Sequence, residues 1–189
     1  MTAQRIVVQR YGPTALRTVP LIRHAALNLT RAVVGGDRIL VLSVAARSLV
    51  AGPLRLVTEL TPRPSARQSA HILGAADQIT AALLTMALRA EGVPAVSLTW
   101  EQAGLTPQSV AEGARSGKLR CDGIRAAIEQ HPAVVLASAC GVTGDGDTCT
   151  LGDAVVTLAA VALGRALAAR DADESLEAVG TEPAAAATA

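Results

Sequence analysis

The sequence predicts an α/β domain, a three-layer sandwich with a mainly parallel sheet and helices on both faces. Three observations carry this expectation. Short, apolar, β-branched runs at 4–9, 38–44 and 133–139 read as buried parallel strands, and 94–99 reads as a further strand. Longer stretches with apolar residues at helical spacing lie between and after them. Strands that alternate with helices are joined by crossovers, the connection that parallel sheets require.

Each element follows from local chemistry. After the first strand, residues 18–34 carry a helical apolar pattern that stops at Gly35-Gly36, and with 38–44 they complete a βαβ unit. Residues 66–91 form a long Ala- and Leu-rich helical pattern, ended by Gly92 and Pro94. Asp122 is placed to cap a helix over 123–130 that stops near Pro132. Residues 141–150 read as a Gly/Asp/Thr loop, and 153–169 as a final apolar helix. The expected organisation is one domain over 1–170, followed by a flexible acidic and Ala-rich tail over 171–189.

Composition narrows the function classes. Phe is absent, and Trp100 and Tyr11 are the only aromatic residues, so the core is built from Ala, Val, Leu and Ile. Residues 171–189 hold five acids and no base, which leaves +6 on the remainder of a chain whose net charge is +1. Within residues 1–70, ten arginines face only Asp37 and Glu59. Such a half suits a small anionic ligand or an acidic partner, or it is a solvated arginine-rich surface. Nucleic acid is disfavoured, because stacking residues and a binding motif are lacking. No apolar run reaches the roughly 18 residues of a bilayer span, and no signal-peptide pattern opens the chain. Cys121, Cys140 and Cys149 are odd in number without C-x-x-C spacing, which indicates a reduced, cytoplasmic protein.

In sheets of this kind ligands lie beyond the carboxyl ends of the strands. The positions of interest are therefore Arg10–Thr14, Ser43–Arg47, Thr99–Gly104 and Ser138–Asp153. Residues 6–15 read Ile-Val-Val-Gln-Arg-Tyr-Gly-Pro-Thr-Ala, a strand running into a tight turn. Further on stand Leu42-Ser43-Val44-Ala45-Ala46, then Ala76-Asp77-Gln78-Ile79-Thr80 ahead of an Ala/Leu/Met run, then Glu101-Gln102-Ala103-Gly104. Leu136–Gly141 and Cys149–Thr157 complete the series. In order and spacing these segments resemble the motifs of aspartokinases, members of the amino-acid kinase family, over most of residues 5–165. The chain is identified as a degenerate, truncated aspartokinase-like member of that family, similar to the N-terminal substrate-binding part of its fold.

The resemblance implies an altered chemistry. The family's opening lysine is Arg10 here, its second glycine Pro13 and its serine Ala15. Arginine keeps the charge but is larger and forked. Proline removes an N–H from any amide nest around phosphate. The glycine-rich helix start that would face phosphate reads Asp153-Ala154-Val155-Val156. The family's nucleotide-binding half and regulatory domains have no counterpart after residue 170. ATP-dependent phosphoryl transfer is therefore expected to be lost. The carboxylate-substrate side is better kept: Asp77 stands at the family's substrate-contacting glutamate, one methylene shorter, and Arg10 with Ser43 is suited to an acid group.

The candidate catalytic residues are Asp77, Glu101 and Arg10, expected to converge at the strand ends. Arg10, Gly12, Thr14, Ser43, Gln102 and Cys140 are the candidate substrate-binding residues. Glu101, at a family serine, is a general base or an ion-pair partner of Arg10. Cys140 is a nucleophile or a small buried hydrophobe. His71, six residues before Asp77, shares its helix face as an acid/base or is simply solvated. Gly144-Asp145-Gly146-Asp147 reads as a turn rather than a calcium loop, and the dispersed histidines predict no zinc site. No cofactor is expected. The first functional reading is a pocket reused to bind or convert a small anionic or amino-acid-like metabolite, as in specialised metabolism. The second is a non-catalytic partner or regulatory subunit of another enzyme, and the third is residual aspartate kinase activity. A homodimer, or a heterodimer with a related chain, is expected to cover an open sheet edge.

Overall fold

A computed structural model of the chain describes residues 5–168. The expected tail at 171–189 lies outside the described residues. The predicted α/β architecture is present. Four strands, β1 (Ile6–Tyr11), β2 (Arg38–Ser43), β3 (Ala95–Leu98) and β4 (Ala133–Ala137), form an all-parallel sheet in the order β1-β2-β4-β3. Helix α1 (Val19–Val34) joins β1 to β2, and α2 (Arg47–Leu60) and α3 (Ala66–Ala90) lead from β2 to β3. Helices α4 (Pro107–Ser116) and α5 (Asp122–Gln130) return to β4. A small antiparallel hairpin, β5 (Cys140–Val142) and β6 (Thr148–Thr150), then precedes α6 (Asp153–Ala168).

The register explains the two cores. Val8 pairs with Leu40, Leu40 with Val134, and Val134 with Val96, a row that faces α4, α5 and α6. Ile39, Val41, Ala133 and Val135 point the other way, against Leu29 of α1 and Leu84 and Leu88 of α3. Alternate side chains of a strand take opposite faces, so continuous apolar runs need helices on both. Buried residues of α3, from Ala70 through Thr80, Leu84 and Leu88, recur at helical spacing. By length and composition α3 could cross a membrane, but it packs that buried face on the sheet.

Three segments differ from the sequence expectation. Residues 141–150 do not form a simple loop: Gly141 pairs with Cys149 across the hairpin, and its tip closes where Asp147 N donates to Thr143 Oγ1. Helix α2 carries Gly52-Pro53 in its middle, residues that weaken any helical reading of that stretch. Helix α4 was not among the expected elements, although Pro107 stands at its start and Thr106 and Ser109 cap each other there.

The order of strands positions the site. The chain leaving β2 passes to the α3 face, whereas the chain leaving β4 passes through the hairpin to α6 on the other face. The connections therefore diverge between the carboxyl ends of β2 and β4. Such a point of divergence opens a crevice above the sheet.

Candidate functional site

Asp77 sits over that crevice. It belongs to the buried face of α3 and is 1% exposed. Its Oδ2 accepts a hydrogen bond from the Ala139 amide at 2.7 Å. The amides of Cys140 and Ala45 also favour its charged form, so one carboxylate faces backbone from both β4 and β2. Burial outweighs these amides and pushes the Asp77 pKa up to about 7. Its Oδ1 is buried and has no hydrogen-bond partner.

Thr80, one turn further along α3, holds the adjoining loop. The Ala46 amide donates to Thr80 Oγ1 at 3.0 Å, and that hydroxyl donates to the Ala76 carbonyl at 2.8 Å. The segment after β2 is thereby tied to the helix that carries Asp77.

A cavity of about 150 Å³ lies beside Asp77, lined among others by His71, Trp100, Glu101, Cys140 and Thr148. His71 and Asp77 share this lining, as their six-residue spacing on one helix allows. Glu101 is exposed in the turn after β3, and its side chain has no ion pair among the described residues. Cys140 is half-buried and donates its thiol to the Ala70 carbonyl. Burial, with Asp77 nearby, pushes the Cys140 thiol up to about 12. A thiol held that far from ionisation is a poor nucleophile, so Cys140 contributes to the wall as a small apolar group.

Arg10 does not join the two carboxylates. Its row on the sheet runs through Leu42, Leu136 and Leu98 and faces α6. Its guanidinium reaches Asp153 Oδ1 at 2.6 Å. Two strands separate β1 from β3, roughly 14 Å in the spacing of a sheet. Arg10 and Glu101 therefore leave distant strands, and Arg10 and Asp77 belong to opposite layers. The expected three-residue convergence is thus replaced by Asp77 with Glu101 at one cavity and Arg10 with Asp153 elsewhere.

The remaining candidates divide similarly. Ser43 is fully buried and donates its hydroxyl to the Leu136 carbonyl at 3.3 Å. The buried Gly12 accepts the Ala15 amide within the turn after β1, while Thr14 is exposed there. Gln102 Oε1 accepts the Thr99 amide at 2.9 Å, and Gln102 lines an adjoining cavity of about 390 Å³ with Ile79, Ser97 and Leu98. None of Gly12, Thr14, Ser43 and Gln102 lines the cavity beside Asp77. Sequence reasoning passed over Trp100, the chain's one tryptophan, which is 1% exposed and forms a wall of that cavity. Its place directly after a strand was the available signal. Among the described residues no group of three or more His, Cys, Asp or Glu is placed to hold a metal ion.

No protein-family model matches the chain. Among curated proteins it is 32% identical over 168 residues to an aspartokinase of Geobacillus stearothermophilus, covering 89% of this chain and 41% of that protein. It is 31% identical over 166 residues to an aspartokinase of Thermus thermophilus, covering 88% and 41%. The chain thus spans about two-fifths of the length of the curated relatives it matches. Among solved structures, the aspartate kinase from Synechocystis aligns with a TM-score of 0.68 at 28% identity, over 86% of this chain and 26% of that one. Escherichia coli aspartokinase III in complex with aspartate and ADP aligns with a TM-score of 0.63 at 13% identity, over 85% and 47%, a likeness of fold.

Proposed function

Since the chain is aspartokinase-like along its described body, we propose that it uses the cavity over the β2–β4 divergence to bind a small amino-acid-like metabolite, without transferring phosphate from ATP. The observation that carries this reading is Asp77, a buried carboxylate that lines a strand-end cavity and whose Oδ1 has no hydrogen-bond partner. Leaving such a group unpaired costs stability, and a ligand that pairs it recovers the loss. The features that speak against phosphoryl transfer lie on the other layer. Phosphoryl transfer depends on free positive charge and donated amides around the phosphates. Here the Arg10 charge is met by Asp153, Pro13 lacks an N–H, and a carboxylate heads α6.

The test uses the purified chain and the emission of Trp100, its one tryptophan. Amino acids of two to five carbons are expected to change that emission saturably, with no turnover of magnesium–ATP. ATP-dependent phosphorylation of any of them overturns the reading.

A second reading, a non-catalytic partner of another chain, rests on one observation. Ile79, Leu83 and Met86 form an exposed apolar stripe on α3, 49%, 38% and 66% exposed, beside the edge strand β3. Edge strands and apolar stripes are surfaces that association covers. A pull-down that recovers a related chain, and loses it with Ile79→Glu, supports this reading.

A further inference from the structure

We infer that the cavity beside Asp77 recognises the amine of its ligand and disfavours a carboxylate, so that a small cationic amine binds more tightly than an amino acid of the same length. This rests on the proposed reading of that cavity as a binding site. The sign of its lining carries the inference. Asp77 and Glu101 both line it, and no arginine or lysine does. Arg10, the cation that would have balanced them, is turned to Asp153 on the other face of the sheet. Glu101 carries no ion pair of its own among the described residues.

Hydrogen-bond chemistry points the same way. Asp77 Oδ1 is an acceptor without a donor, at a residue 99% removed from solvent. An ammonium brings three donors and a positive charge to such an atom, and a carboxylate brings neither. A ligand carboxylate placed here would lie against Asp77 and Glu101, with His71 the one lining group able to carry positive charge and the unpartnered Trp100 Nε1–H a neutral donor. The one nearby thiol, Cys140, is already turned to the Ala70 carbonyl. The cavity of about 150 Å³ has room for a small ligand and adjoins the larger one through Gln78, Thr99 and Ala137.

Three probes on one three-carbon skeleton separate the possibilities, read by Trp100 emission: 3-aminopropanol, β-alanine and propionate. 3-Aminopropanol is expected to bind saturably, β-alanine at least tenfold more weakly, and propionate not at all. Asp77→Asn is expected to abolish the response to 3-aminopropanol while circular dichroism and the melting temperature show an intact fold. Glu101→Gln, at an exposed position, is expected to weaken binding several-fold. β-Alanine or propionate binding more tightly than 3-aminopropanol overturns the inference but leaves the cavity a ligand site. No response to any of the three, or to two- to five-carbon amino acids, overturns the reading of the cavity together with the inference.

Discussion

The guanidinium of Arg10 lies 2.6 Å from the carboxylate of Asp153, and this pair joins the end of β1 to the first turn of α6 across 143 residues of sequence. The Asp153 side chain is 80% exposed and that of Arg10 24%. An ion pair this open to water contributes little to stability. A double-mutant cycle with Arg10→Gln and Asp153→Asn is expected to give a coupling below about 1 kcal/mol. It should fall further in high salt, where exposed charges are screened. Its functional consequence is electrostatic: with the Asp153 carboxylate beside it, Arg10 does not present an unbalanced positive charge after β1. Isothermal titration with magnesium–ATP is expected to show no saturable heat in the native chain. Micromolar, magnesium-dependent affinity counts against this.

Asp77 makes stability depend on pH in the sense opposite to most carboxylates. Its folded pKa of about 7 lies above the ordinary 3.8. Below about pH 4 the group is protonated in both folded and unfolded chains and contributes no difference. As pH rises from about 4 to about 7 the unfolded chain ionises while the folded chain keeps the proton, so the cost accumulates to about 4 kcal/mol and is constant above 7. Asp77→Asn keeps an acceptor for the Ala139 amide and removes the charge. It is expected to raise the melting temperature by several degrees at pH 8, with the gap closing toward pH 4. A gap that does not change with pH contradicts the burial argument.

The same carboxylate makes amine binding pH-dependent. The ionised form pairs with an ammonium, so the affinity for 3-aminopropanol should fall as pH drops below about 7. His71, Glu101 and Cys140 face the same cavity and are the other titratable groups there. Repeating the pH series in His71→Gln and Glu101→Gln isolates the Asp77 contribution. An unchanged affinity from pH 5 to 8 in His71→Gln removes Asp77 from recognition.

Thr80 couples the helix of Asp77 to the loop after β2. Thr80→Val keeps the shape but leaves the Ala46 amide without its acceptor. A buried donor stripped of its partner costs about 1–3 kcal/mol. Denaturant unfolding is expected to show that loss at unchanged slope. Thr80→Ser, which keeps the hydroxyl, should recover most of it.

Gly123 sets the approach of α5 to the turn that carries Trp100 and Glu101. A Cβ there would stand 2.9 Å from the Gln102 carbonyl oxygen and 3.1 Å from that of Ala103. Both obstacles are backbone, so the turn itself has to move. Gly123→Ala is expected to destabilise the chain by about 1–3 kcal/mol and to shift the Trp100 emission maximum without added ligand. A variant with native stability and native emission shows that the turn is slack.

The layers of this fold were legible because they rest on local patterns. The Val- and Leu-rich runs of β2 and β4 require cover on both faces, and Gly35-Gly36 ends α1 whatever lies beyond it. Helix α2 was not legible, because Gly52-Pro53 argues against a helix that packing on α3 nevertheless sustains. The hairpin at 140–150 was hidden by its composition. Gly144 and Gly146 mark its turn, but its strands are three residues each, too short for an alternating signal.

By itself the sequence determined the parallel α/β architecture, the likeness to aspartokinases, and the choice of Asp77 on the long helix and Glu101 after the third strand as candidate site residues. Periodicity, turn residues and motif order are properties of neighbours along the chain, and they survive without coordinates. Tertiary structure alone decided which charges meet. Strand order places two strands between β1 and β3, and side-chain alternation turns Arg10 to the α6 face, so its partner is Asp153. Asp77, on the other layer, keeps a buried oxygen unpaired. Attraction between charges acts through space, and only the crossing of the strands fixes those distances.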